Sequence, residues 1–168
     1  MIDLCELARN GMRTWLRFGT KWDTFPTAGK RAACFVSLHT ADGSLRGCIG
    51  TLRPQQPDLA GEVVENAIAA ATRDHRFAAV TPEELEGLEI QVSVLTPPEP
   101  IAGPHLLDPL RYGVIVESGA KRGVLLPDLP GIESVAQQIE IASRKAGIGR
   151  DSKCKLWRFQ VETHHESL

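Results

Sequence analysis

The sequence predicts an α+β fold. Apolar residues recur at three- and four-residue spacing near the N-terminus, as on an amphipathic helix. Elsewhere they alternate strictly, as on half-buried strands, and two short turn sequences join such runs into hairpins. A hairpin imposes antiparallel pairing, which excludes the regular strand–helix alternation of a parallel α/β sheet.

Asp3 to Phe18 reads as the first helix, with Leu4, Leu7, Ala8, Met12, Trp15 and Leu16 on its apolar stripe. A loop containing Pro26 and Gly29 follows. Ala33 to Thr40 is strand-like, with Cys34, Val36 and Leu38 on one face and Phe35 and Ser37 on the other. Asp42-Gly43 is a hairpin turn, and the chain returns through Leu45 to Leu52. Pro54 and Pro57 end that pattern, and a helix begins near Asp58, whose carboxylate can cap the first free N–H groups. Leu59, Val63, Ala67, Ala70 and Ala71 form its inner stripe. Thr81-Pro82-Glu83-Glu84 combines an N-cap, a proline at the first helical position and a capping box, and Gly87 keeps this helix short.

Glu89 to Leu95 alternates, with Ile90, Val92 and Val94 on one face. The four prolines between Thr96 and Pro104 predict a linker or stiff crossover. Gly113 to Glu117 and Gly123 to Leu126 flank Ser118-Gly119-Ala120-Lys121 as a second hairpin. Ser134 opens a further helix that ends at Lys145-Ala146-Gly147, with cations in its last turn and glycine beyond. Leu156 to Val161 reads as the final strand, and His164-His165 as a polar tail. Both halves hold a hairpin, a following helix and a later strand, which suggests an internal structural repeat.

The chain has 168 residues, which suits one domain spanning residues 1–168, or a large and a small lobe with 96–104 as the crossover. Hydrophobic residues at 42% and charged residues at 24% are those of an ordinary globular protein. A net charge of -2 argues against a strong electrostatic grip on nucleic acid or membrane. No apolar run is long enough to span a bilayer, and the N-terminus lacks a secretory pattern, so a cytoplasmic location is expected. Cys5, Cys34, Cys48 and Cys154 show no C-x-x-C spacing and are expected to be reduced thiols. No cofactor or metal motif is evident.

The chemistry centres on Arg46-Gly47-Cys48-Ile49-Gly50-Thr51. Residues two apart on a strand share a face, so Arg46 and Cys48 lie side by side, with Gly47 and Gly50 leaving room around the sulfur. A cation lowers the pKa of a thiol, which makes a thiolate site. The same spacing also suits a small buried hydrophobe. The glycines either let backbone N–H groups approach a ligand or permit a tight crossing. Asp74-His75-Arg76-Phe77 offers an acid, a base and a cation together; the alternative is a solvated helix end with Phe77 packed inward. His75 matters for catalysis only if it faces Cys48.

Leu45-Arg46-Gly47-Cys48-Ile49-Gly50-Thr51-Leu52 resembles the signature of the AMMECR domain family, whose prokaryotic members are called AmmeMemoRadiSam system protein A. The resemblance continues through Phe35 to Leu38, Asp74-His75-Arg76-Phe77, Glu84-Leu85, Val92 to Thr96, Glu99, Tyr112-Gly113-Val114, Gly123 to Pro127 and Lys145-Ala146-Gly147. It covers roughly residues 3 to 162. It implies a largely antiparallel, partly curled sheet with flanking helices and two lobes. It also implies a Memo-like protein and a radical S-adenosylmethionine protein as partners. The chain lacks the closely spaced cysteine triplet of a radical enzyme, so the resemblance implies an accessory component or a separate enzyme. It departs from the family at Asp128 to Glu133, which is shorter than the usual segment.

Three functions therefore compete. In an accessory binding module, the signature shapes a groove, with Gly47, Gly50, Thr51, Asp74 and Arg76 as binding residues. In a thiol-dependent enzyme, Cys48 is the nucleophile, Arg46 stabilises charge, and His75 or Asp74 moves protons. A nucleic-acid-associated regulatory factor is the third, and the net charge disfavours it.

Overall fold

The computed structural model describes residues 2–166. The first helix, α1 (Leu4–Phe18), starts where Asp3 accepts the N–H groups of Cys5 and Glu6, and stops at Gly19, whose φ of 67° is left-handed. The first hairpin pairs β1 (Cys34–His39) with β2 (Leu45–Gly50). The α2 helix (Leu59–Thr72) is capped by Asp58, and α3 (Pro82–Leu85) by the reciprocal Thr81–Glu84 box. Strand β3 (Glu89–Leu95) pairs antiparallel with β1.

Two elements differ from the sequence expectation. The proline-rich stretch contains a short strand, β4 (Glu99–Ile101), at a sheet edge, where Pro100 needs no partner for its missing N–H. The polar tail is also a strand, β8 (Val161–His165). It too lies at a sheet edge, where polar residues keep one side in water and hide the strand pattern. The remaining elements are a single 3-10 turn (Pro104–Leu106), β5 (Gly113–Ser118), β6 (Lys121–Leu125), α4 (Val135–Lys145) and β7 (Lys155–Phe159).

The strands divide into two four-stranded sheets, ordered β2-β1-β3-β8 and β4-β7-β5-β6. The described residues divide into two compact units, 2–95 with 162–166, and 96–161. In the first unit, Val36, Leu38, Ile90, Val92 and Val94 point to one side of the sheet and are buried with Leu7, Met12, Val63 and Ala67 of the helices. In the second unit, Val114, Val116 and Leu125 are buried with Ala142 of α4. 

Both units follow one plan: a hairpin, a helix over its inner face, and a third strand beside the hairpin's first arm. The plan extends to single residues. Gly47 lies opposite Leu38, and Gly123 opposite Val116, each on the hairpin's returning arm. A methyl group at Gly47 would collide with the Ala70 carbonyl of α2, and one at Gly123 with the Ala142 carbonyl of α4. Glycine at these two points lets a helix backbone settle directly on a strand. The shared plan thus rests on matched close approaches, although the two halves show no clear sequence repeat.

Candidate functional site

Alternation along β2 sends Gly47 and Ile49 toward α2 and the core. Arg46, Cys48 and Gly50 fall on the opposite, outer face. The ladder sets Phe35 opposite Gly50 and Ser37 opposite Cys48, with Gln91 of β3 on the far side of Ser37. A side chain at Gly50 would fall within the Phe35 ring, so the aromatic lies flat over this glycine. The signature's two glycines are thus accounted for by packing: Gly47 admits a helix and Gly50 admits a ring.

Cys48 is half-buried on this outer face. Its Sγ accepts from the Ser37 hydroxyl at 3.3 Å. Its backbone N–H donates to Asp74 Oδ2 at 3.0 Å. This contact follows from topology: β2 is an edge strand, and its outward N–H groups need partners from outside the sheet. Asp74 supplies one because it directly follows the end of α2, which lies over β2.

Asp74 is itself buried, only 7% exposed. It accepts from the Arg76 backbone N–H at 3.1 Å, from Arg76 Nε at 3.0 Å and from Arg76 Nη2 at 2.8 Å. The Arg76 guanidinium, above all, holds the Asp74 carboxyl well below the usual carboxylate range; the Cys48 N–H adds to this. Arg76 in turn is held charged, first by Asp74, with a smaller contribution from the Cys48 sulfur when it carries charge. Asp74 Oδ2 accepts from both Arg76 Nη2 and the Cys48 N–H, which brings Arg76 beside Cys48.

Arg46 has a different task. Its guanidinium forks onto Glu84, with Nε 2.6 Å from Oε1 and Nη2 3.2 Å from Oε2. Glu84 belongs to the α3 capping box, so Arg46 ties the signature strand to that helix. Phe77 lies near both arginines, its ring centre 5.9 Å from Arg46 Cζ and 5.3 Å from Arg76 Cζ. His75 is exposed in the turn between Asp74 and Arg76.

Thr51 belongs to a separate buried network. Its hydroxyl donates to Glu62 Oε1 at 2.6 Å, and its backbone N–H donates to Cys34 O. Glu62, 1% exposed, also accepts from Gln55 N and Gln56 N and so fastens the loop after β2. Asn66 adds hydrogen bonds to Cys34 O at 3.0 Å and to the Thr51 hydroxyl at 3.4 Å. Of the residues singled out from sequence, Cys48, Asp74 and Arg76 are drawn together directly, while Arg46 joins them through Phe77. Ser37, Glu62, Asn66 and the Arg46–Glu84 pairing are additions from the structure. The pairing of Ser37 with Cys48 includes a register shift between Leu38 and His39, which the Asp42-Gly43 turn alone does not specify.

The four thiols differ sharply. Burial pushes Cys34 up to about 12 and Cys5 up to about 11. Cys48 is half-buried and Cys154 exposed. Alkylation of the native protein at mildly alkaline pH is therefore expected to modify Cys48 and Cys154 and to spare Cys5 and Cys34 until the chain is denatured. Peptide mapping of the labelled protein reads this directly, and labelling of Cys34 in the native state would contradict it. Among the described residues, no group of three or more His, Cys, Asp or Glu side chains is placed to hold a metal ion. No described helix is long and apolar enough to cross a membrane.

The AMMECR1 family model matches residues 5–164. A protein of Thermotoga maritima is 52% identical over 136 residues, covering 80% of this chain and 78% of its own. A protein of Clostridium acetobutylicum is 39% identical over 168 residues; the match covers 96% of this chain but 36% of that relative, which is a much longer protein. The crystal structure of an uncharacterised protein from Pyrococcus horikoshii superposes with a TM-score of 0.86 at 31% identity, covering 98% of this chain and 95% of that one. The signature strand, the hairpin-and-helix plan and a match over nearly the whole length agree: the chain belongs to the AMMECR1 family.

Proposed function

We propose that this chain is an accessory binding module whose working surface is the outer face of its first sheet around Cys48. Its partners in this reading are a Memo-like protein and a radical S-adenosylmethionine protein. One observation carries the reading: the polar groups around the sulfur are committed to holding the scaffold. Asp74 is kept as a carboxylate by Arg76 and by the Cys48 N–H, and is a poor proton acceptor at neutral pH. Arg46 is spent on Glu84. What remains is a half-buried thiol on an edge strand, suited to recognition more than to proton transfer. The longer Clostridium relative supports the same reading, since there the matched region is one part of a larger chain.

The test is co-expression with the Memo-like and radical proteins of the same genome, followed by size-exclusion chromatography. A stable complex with one of them is expected. Arg76→Glu, at a side chain 57% exposed, should weaken it at least tenfold. No complex with either protein, or a complex indifferent to Arg76→Glu, would overturn the proposal.

The competing reading, Cys48 as nucleophile, draws on the nearness of Arg76, a cation able to favour a thiolate. It requires turnover by the isolated chain that Cys48→Ser abolishes without unfolding it.

A further inference from the structure

The second unit contains a groove of about 1000 Å³ at the upper end of the range for small-molecule sites. It has no part in the Cys48 site. One wall is α4, where Val135 and Ile139, one helical turn apart, present a half-buried apolar stripe. Leu107 and Ile148, both from the core of this unit, complete an apolar lining.

The charged residues of the groove are unbalanced. Glu140 is the one carboxylate in its lining, facing Arg144 and Arg150. Both arginines converge on the same oxygen, Glu140 Oε1, with Nη2 at 2.9 Å and 3.1 Å. Each guanidinium has five N–H donors and spends one nitrogen on this contact, so donors remain on both. The rim thus carries surplus positive charge beside an apolar floor. Cys154 and the exposed Ala136 also line the groove.

We infer that this groove binds a small amphiphilic organic anion, its apolar body on Val135, Ile139, Leu107 and Ile148 and its acidic group on Arg144 and Arg150. Charge complementarity selects the anion: an uncharged ligand leaves the surplus guanidinium donors to water, whereas a carboxylate, sulfonate or phosphate takes paired hydrogen bonds from them.

The intact protein can be titrated with 8-anilinonaphthalene-1-sulfonate and, as a charge control, with the uncharged N-phenyl-1-naphthylamine. Saturable fluorescence enhancement by the anion is expected, with affinity about fivefold above that of the neutral compound. The double substitution Arg144→Gln/Arg150→Gln should remove that difference and leave the neutral compound unaffected. Ala136→Phe, at an exposed helix position, should fill the groove and weaken both compounds without loss of fold. Bound anion should slow alkylation of Cys154 and leave the Cys48 rate unchanged. Equal affinity for the two compounds, indifference to Ala136→Phe, or protection of Cys48 in place of Cys154 would each overturn the inference. None of these readouts depends on the partner complex, so the groove and the Cys48 surface stand or fall separately.

Discussion

Gly47→Ala is expected to destabilise the protein by about 3 kcal/mol, a large part of the stability of an ordinary domain. The added methyl group meets the Ala70 carbonyl, which is helix backbone and cannot rotate aside. Either β2 peels from α2 or α2 shifts. Both movements disturb the site, because Cys48 adjoins Gly47 and Asp74 lies just beyond the end of α2. Gly43→Ala is the matched control. Gly43 has open space around it and a φ of 86°, so the substitution strains only the turn and should cost about 1 kcal/mol. Urea midpoints of the two variants test the contrast. Similar losses would show that the close approach of helix to strand is not what fixes this residue.

Asp74→Asn is expected to cost about 2–3 kcal/mol at neutral pH, since it removes the charge behind several hydrogen bonds and leaves Arg76 without its counter-ion. The loss should depend on pH in a defined direction. Arg76 makes the Asp74 carboxyl more acidic in the folded protein than in the unfolded chain. Ionisation therefore favours the fold: the contribution is complete above about pH 4 and declines as the pH falls toward the folded-state value. The stability gap between wild type and variant should be flat from neutral pH down to about 4 and should narrow below it. A gap that widens on acidification would contradict the assigned role. Peptide-mapped alkylation of the variant adds a local readout, because replacing the charged acceptor of the Cys48 N–H by a neutral one loosens the edge strand that carries the sulfur.

Much of this architecture was legible in the sequence because it is written in short-range signals. Alternation placed Cys34, Val36 and Leu38 on one face and Phe35 and Ser37 on the other, and Thr81-Pro82-Glu83-Glu84 marked its own helix start. The strands β4 and β8 were not legible as such: both are sheet edges, one containing Pro100 and the other mostly polar, and neither needs an apolar stripe on both faces. Glu62 and Asn66 were hidden for the opposite reason. They are polar residues buried along α2, made tolerable by the backbone N–H groups of residues 55 and 56 and by the carbonyl of Cys34. The site was legible only in part. Residues two apart on one strand share a face by geometry, so the grouping of Arg46 with Cys48 needs no fold. The contacts that decide their roles come from 26 residues away at Asp74 and 38 residues away at Glu84. Those distances are closed by the length of α2 and the placement of α3, which local pattern does not encode.

The Cys48 face is the proposed surface through which the protein engages its partner. The most direct measurement is the alkylation rate of Cys48, resolved by peptide mapping, in the isolated chain and in the presence of the Memo-like or radical S-adenosylmethionine protein. A partner is expected to slow Cys48 at least tenfold while exposed Cys154 keeps its rate. Equal Cys48 rates in a complex demonstrated by co-elution would place the interface elsewhere and contradict this assignment.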